Sequence, residues 1–311
     1  MRTRILFLIV GLLVLGVLCF VVLSLRDHWM VEAISRAQER LPRSSDSLAM
    51  TEKETISTPA PVSSHTAIPK EVRGIYWTAS TAGSSRAQEL ETYMKEYGLN
   101  TVVIDLKMDD GELAFLPKDA TLSIYTQPHP AISDLDALIK ELHAQGIYCI
   151  ARIAVMRDGA FAQTHPEVAM KNAGGGFWRD NIGSVWVDPA ATQVGDYAIA
   201  LGREAYERGF DEVQFDYVRF ASDGSVNAII YPVYQTSQTK AVVMQKFFAY
   251  VGGAMREAQI PVSFDVFGMT FWSYADFNIG QRLLDVLPFT DYVSPMVYPS
   301  HYQDGFKGYA N

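Results

Sequence analysis

Two aspartates carry the chemistry that residue type and spacing argue most directly. Asp216 lies in EVQFDYV and Asp265 in PVSFDVF, two short runs of β-forming residues. Side chains along a strand alternate between its faces. With Val213, Phe215 and Tyr217 on one face, Gln214, Asp216 and Val218 share the other, and the same alternation groups Ser263, Asp265 and Phe267. Both carboxyl groups then fall late in adjacent strands and in one cleft. A pair of carboxyl groups, one charged and one protonated, is what cleavage of a glycosidic bond requires. The competing role for each is structural, as a helix cap or an arginine partner. Arg219 follows Asp216 closely and is expected to keep it charged, since a nearby cation lowers a carboxyl pKa.

Other polar residues fit a cleft around that pair. In TVVIDLK, Asp105 and Lys107 share the inward parity, and Asp109, Asp110 and Glu112 follow in a loop. That loop lacks the D-x-[DN]-x-[DN]-G spacing of a calcium site, so no metal is expected there. Arg152 in YCIARIAV either holds a carboxylate inside or sits against a helix. The long segment HPEVAMKNAGGGFWRDNIGSVWVDPA carries Trp178, Arg179, Asp180, Trp186 and Asp188. Aromatic faces beside polar groups suit sugar rings, and the same tryptophans can instead fill the loop's own small core. Tyr298 ends the last predicted strand and His301 follows it, and both can line the same cleft. Neither G-x-S-x-G nor H-E-x-x-H occurs, which removes the common serine hydrolase and zinc protease readings.

These residues need a scaffold, and the chain supplies strand–helix alternation. Strands are predicted at Val72–Trp77, Thr101–Lys107, Tyr148–Val155, Glu212–Val218, Pro261–Phe267 and Tyr292–Tyr298. Helices are predicted near Arg86–Tyr97, Ser133–Gln145, Gln193–Arg208, Lys240–Ala258 and Ile279–Leu287. Such alternation implies right-handed crossovers and a parallel sheet. A doubly wound sheet would bury both strand faces and read as apolar throughout. Here polar residues collect at the C-terminal ends on one parity, as in a TIM-type (β/α) barrel, whose active sites sit at that end. No glycine-rich phosphate loop follows the first strand, so no nucleotide cofactor is expected. The expected fold is α/β, a TIM-type barrel over 71–311; six strands precede Asn311, so the barrel is either incomplete at its C-terminus or closed by partner chains or in a nonstandard way.

Ahead of the barrel, Ile5–Leu25 is 21 residues without a charge, preceded by Arg2 and Arg4. That length spans a ~30 Å hydrocarbon core, and the positive flank stays in the cytoplasm. Residues 1–25 are therefore expected to be a transmembrane signal anchor through 5–25, with a cleaved signal peptide as the competing reading. Residues 26–70 then form a juxtamembrane helix and a flexible linker rich in Ser, Thr and Pro. The protein is expected in the cell membrane, single-pass, with its C-terminal domain extracytoplasmic. The net charge of −9 excludes a duplex nucleic-acid binder, which needs a basic face. Two cysteines, Cys19 and Cys149, give no disulfide framework, and six scattered histidines give no metal-binding spacing.

The runs VRGIYWTAS, NTVVIDLKMDDGE, ARIAVMRD, GGGFWRDNIGSVWVDPA, GFDEVQFDYVRFASDG, SFDVFGMT and DYVSPMVYPSHY together resemble the putative glycoside hydrolase domain family of bacterial membrane-anchored and secreted proteins. The resemblance covers about residues 71–311. It implies a barrel related to the α-amylase and α-galactosidase superfamily. In those relatives a strand-four aspartate is the nucleophile, matching Asp216, and a carboxylate on a later strand is the acid, for which Asp265 is the nearest match. The expected function is hydrolysis of O-glycosidic bonds in an extracellular or cell-wall polysaccharide, without cofactor. The alternatives are a membrane-anchored carbohydrate-binding barrel without turnover and another polysaccharide-directed enzyme, a lyase or deacetylase.

Overall fold

The computed structural model describes residues 65–302 and 304–308. The expected anchor and most of the expected linker lie outside them, and among the described residues no helix is long and apolar enough to cross a membrane. Six strands form one parallel sheet in sequence order: β1 (Gly74–Trp77), β2 (Thr101–Lys107), β3 (Tyr148–Ala154), β4 (Glu212–Asp216), β5 (Val262–Phe267) and β6 (Tyr292–Met296). Consecutive neighbours with helical returns make the curled half of a (β/α) barrel. The returns are α1 (Ala79–Ala82), α2 (Arg86–Glu96), α3 (Leu135–Ala144), α4 (Gly159–Thr164), α5 (Thr192–Glu207), α6 (Lys240–Glu257) and α7 (Leu283–Val286). Four of them start at side-chain caps: Thr78, Asp134, Asp158 and Thr239 accept from Thr81 N, Ala137 N, Phe161 N and Val242 N. Such a cap contributes about 1 kcal/mol.

The register assigns the two sheet faces. Trp77, Ile104, Ala151, Val213 and Val262 lie in one row, and all are buried against the helices. Phe215 and Phe264 follow in the same orientation, and Phe264 meets Phe248 of α6 edge-on at 5.1 Å. Gly202 lets α5 settle onto this layer, because a Cβ there would stand 3.0 Å from Met255 Sδ and 3.3 Å from Phe215 Cζ. The opposite, concave face is polar: Asp105, Arg152, Gln214 and Ser263 occupy one row.

Three sequence expectations need correction. Lys107 does not share the parity of Asp105. A bulge between them pairs Lys107 with Ile153, in the helix-facing row, and a one-residue slip turns a side chain to the other face. Strand β4 stops at Asp216 rather than Val218, because Tyr217 turns left-handed at φ 52°. The predicted helix Ile279–Leu287 shrinks to the single turn of α7. Phe277, Asn278 and Gly280 have positive φ, so no helix can run through them.

Candidate active site

The concave face of the sheet converges on Arg152, from the middle of β3. Its Nη1 donates to Asp105 Oδ1 at 2.6 Å, and its Nη2 and Nε both donate to Asp216 Oδ2, at 2.6 and 3.1 Å. Of the two roles open to Arg152 in the sequence, the structure shows the interior one. Asp216 Oδ1 accepts from Tyr217 N at 2.6 Å. Asp265 stands level with Asp216 on the adjacent strand, since Phe215 pairs with Phe264. Ser294 of β6 stands beside Asp265 in the register, and Gln214 Nε2 donates to Ser294 Oγ at 2.8 Å.

The two aspartates sit in different surroundings. Burial pushes the Asp265 carboxyl well above the usual range, and the neighbouring Asp216 charge raises it further, against the opposing pull of Arg152 and Ser294. Burial also raises Asp105, although Arg152 and a hydrogen bond from Tyr76 work the other way. Below them, buried Glu212 accepts from Ser263 Oγ at 2.5 Å and Tyr148 Oη at 3.2 Å, and burial raises it too. The site therefore pairs one carboxylate fixed by a guanidinium with one carboxyl disposed to keep its proton. That division of roles suits general acid catalysis beside a charged partner.

Two residues that strand parity did not single out complete the site. Tyr217, expected to face outward, instead reaches the rim because of its left-handed backbone. Its ring lies 5.9, 5.2 and 5.5 Å from the guanidinium carbons of Arg152, Arg157 and Arg219, and its hydroxyl accepts from Arg157 Nη1 at 2.8 Å. Val218 turns into the core in its place. Gln281, fully buried, ties the carboxylate-bearing strand ends together. It donates to Val218 O and Asp265 O, both at 3.1 Å, and accepts from Phe267 N at 2.9 Å. No local sequence signal marks it, because it lies in irregular chain.

The other sequence candidates divide between rim and scaffold. Arg219, expected near Asp216 as a charge, interacts with it electrostatically but makes no hydrogen bond to it. Arg152 has that place, and Arg219 lies among Trp186, Tyr217 and Phe267 while donating to Phe220 O and Ser222 Oγ. Lys107, 1% exposed, pairs with Asp158 at 2.7 Å and donates to Ala154 O at 2.5 Å, beneath the helices and away from the cleft. Trp178 and Trp186 are buried in the loop's own core. Their indole N–H groups donate to Ser225 O at 3.2 Å and Asp180 Oδ2 at 2.9 Å. Asp180 also accepts from Ile182 N and Ser184 N, and faces Arg157 Nε at 3.2 Å. Asp188 is buried and accepts from Ala190 N, Val233 N and Tyr234 N, so it fastens the loop. Arg179 is exposed and closes its own turn on Gly183 O at 2.6 Å. Tyr298 and His301 are exposed past β6, with His301 stacked on Phe267 at 5.5 Å.

A parallel half barrel with paired carboxyl groups at the C-terminal ends of its strands defines the class: a (β/α)-barrel enzyme domain of glycosidase type. More particularly, the chain belongs to the family described as "Putative glycosyl hydrolase domain", whose sequence profile matches residues 74–311. Among curated proteins none matches. Among solved structures, the chain is similar to a hypothetical protein from Ruminiclostridium thermocellum ATCC 27405. The two are 30% identical with a TM-score of 0.54, and the match covers 62% of this chain and 97% of that one. It also matches the α-galactosidase of Thermus thermophilus, solved with p-nitrophenyl α-D-galactopyranoside, at 16% identity and TM-score 0.44 over 74% of this chain and 42% of that one. An α-L-fucosidase from Paenibacillus thiaminolyticus matches at 16% and 0.45, over 62% and 32%.

Proposed function

We propose that the protein hydrolyses O-glycosidic bonds of an extracellular or cell-wall polysaccharide by a two-carboxylate mechanism. Asp216 supplies the charged partner of the oxocarbenium-like transition state. Asp265 supplies the proton to the leaving oxygen. The observation that carries this reading is the contrast between level neighbours on β4 and β5: Asp216 clamped by Arg152, and Asp265 with its carboxyl raised by burial and by Asp216. Arg152 orients Asp216 without closing the site, since Arg152 occupies Oδ2 and Oδ1 accepts only a backbone N–H. The glycan lies along the concave face, with Tyr76 and Tyr217 as aromatic contacts on either side of Arg152. Residues 5–25 anchor the chain in the membrane and hold this domain outside it; no nucleic acid is involved.

The test is hydrolysis of activated aryl glycosides and of cell-wall polymers by the wild type and by Asp216→Asn. The wild type should release the aglycone. The variant should still bind glycan and lose turnover by several orders of magnitude. Wild-type turnover in Asp216→Asn would sink the assignment. A binding barrel without turnover is favoured by one observation, that both Asp216 oxygens already accept hydrogen bonds. Glycan binding by a folded wild type that cleaves nothing would select that reading.

A further inference from the structure

A second group of chemistry-bearing side chains gathers at the opposite end of the strands. Asp211 immediately precedes β4, Cys149 is the second residue of β3, His143 lies in the last turn of α3, and His65 begins the described chain. Their donor atoms converge. His143 Nε2 is 3.0 Å from Asp211 Oδ2, and His65 Nδ1 is 3.7 Å from Asp211 Oδ1. The ligand atoms of His143, Cys149 and Asp211 all lie within 4.8 Å of one another. Cys149 and Asp211 are buried, and both histidines are mostly covered.

One atom of this group lacks a hydrogen-bond partner, although His143 Nε2 and Asp211 Oδ2 share a hydrogen bond of 3.0 Å. His65 Nδ1 is buried with no hydrogen-bond partner, and Cys149 Sγ makes only a long contact of 3.7 Å with Ile147 O. A buried polar atom without a partner is costly and rare in a native interior. Asp211, in contrast, is oriented from behind. Its Oδ1 accepts from Thr66 N at 2.6 Å and its Oδ2 from Cys149 N at 2.7 Å. Hydrogen bonds of this kind hold a metal-ligating carboxylate in place.

We propose that His65, His143, Cys149 and Asp211 form a structural site for one Zn²⁺ ion. Two nitrogens, one sulfur and one oxygen are a ligand set that zinc accepts in tetrahedral geometry. The charges balance: a thiolate and a carboxylate offset the two charges of the ion, two neutral imidazoles add none, and the thiol proton of Cys149 leaves to solvent on binding. Bonds of about 2.0–2.3 Å require the donor atoms to draw together, most of all His65, which stands outside the group of three that lies within 4.8 Å. Four protein ligands leave no open position, so the ion has no part in hydrolysis. Its effect is to fasten the segment that enters the barrel. His65 already stacks on Tyr206 of α5 at 3.9 Å, and zinc would lock it to β3 and β4. Asp211 and Asp216 lie at opposite ends of β4, about 17 Å apart at ~3.3 Å per residue.

The experiment uses the full-length chain without a histidine tag. Metal content is measured by mass spectrometry, and Co²⁺ is titrated into the metal-depleted protein. One equivalent of zinc is expected, with a near-ultraviolet thiolate-to-cobalt band and the visible bands of a tetrahedral ion. Cys149→Ser should abolish the near-ultraviolet band and keep the fold. Asp216→Asn should leave both sets of bands unchanged. A strong chelator should lower the Tm of the wild type far more than that of Cys149→Ser. A folded wild type that takes up no cobalt, or an identical near-ultraviolet band in Cys149→Ser, overturns the site and leaves a hydrogen-bonded clamp in its place.

Discussion

At Asp216 three hydrogen bonds converge on one carboxylate, while Asp265, one strand away, sits where burial and the Asp216 charge favour its proton. This contrast has a consequence for stability that needs no substrate. A carboxyl group raised in the folded state contributes stability below its unfolded pKa of about 3.9, and that contribution is lost as pH rises through the folded pKa. Asp265→Asn does not titrate there. Its Tm should match the wild type near pH 4 and exceed it increasingly toward about pH 8. A Tm difference that stays constant over that range would show that Asp265 is not raised. The same titration bears on activity, since a general acid must keep its proton. Wild-type hydrolysis should fall on the alkaline side. Asp265→Asn should lose that limb and be milder on substrates with good leaving groups. Strand alternation was enough to bring Asp105, Asp216 and Asp265 to one face, and it left the side taken by Arg152 open. It could not show that Arg152 rather than Arg219 clamps Asp216, nor that Tyr217 joins them. Parity fails at the left-handed residue that ends β4.

The bulge in β2 makes the same point for an element. TVVIDLK reads as an unbroken alternation, yet the register slips between Asp105 and Lys107. The slip sends Lys107 under the helices, where it meets Asp158, the N-cap of α4. Gly111 belongs to the same arrangement. It takes φ +97°, and a Cβ there would stand 1.9 Å from Asp158 Oδ1. A charge pair this deeply buried costs desolvation, and removing one partner strands the other. Lys107→Met should therefore destabilise the domain by about 3–5 kcal/mol in chemical denaturation. Lys107→Met with Asp158→Asn should recover part of that loss, because the amide can still cap α4. A loss under about 1 kcal/mol for the single variant would mean that Asp158 is solvated or otherwise paired. Strand and long-helix positions were readable from periodicity, since each needs only its own residues. The bulge and the shortened α7 were not, because backbone turns at single residues leave no periodic trace.

For the molecule as a whole, the parallel order and the polar upper face follow from the alternation of strand and helix, and the family match covers the same stretch. The cluster of His65, His143, Cys149 and Asp211 shows what linear spacing hides. These four are spread over nearly half the chain; His143, Cys149 and Asp211 come together, and His65 reaches Asp211, only through the fold. Their meeting also bears on where the domain begins. Composition alone placed the boundary near Glu71. Yet His65 stacks on Tyr206 and Thr66 N donates to Asp211, so the held chain starts at least six residues earlier. Trypsin can distinguish the two boundaries, because Arg43 and Lys53 lie before His65 while Lys70 and Arg73 lie after it. If Ser-, Thr- and Pro-rich chain precedes a clamp at His65, the first stable fragment should begin at Glu54. Cleavage after Lys70 should be slower, and faster in Asp211→Asn, which weakens the clamp. Trypsin added to intact spheroplasts tests the proposed orientation in the same experiment. An exported domain on an uncleaved anchor should be released into the supernatant as the fragment starting at Glu54. Release only after lysis would place the domain in the cytoplasm. A first fragment starting at Glu71 would show that His65 and Thr66 do not hold the chain in solution.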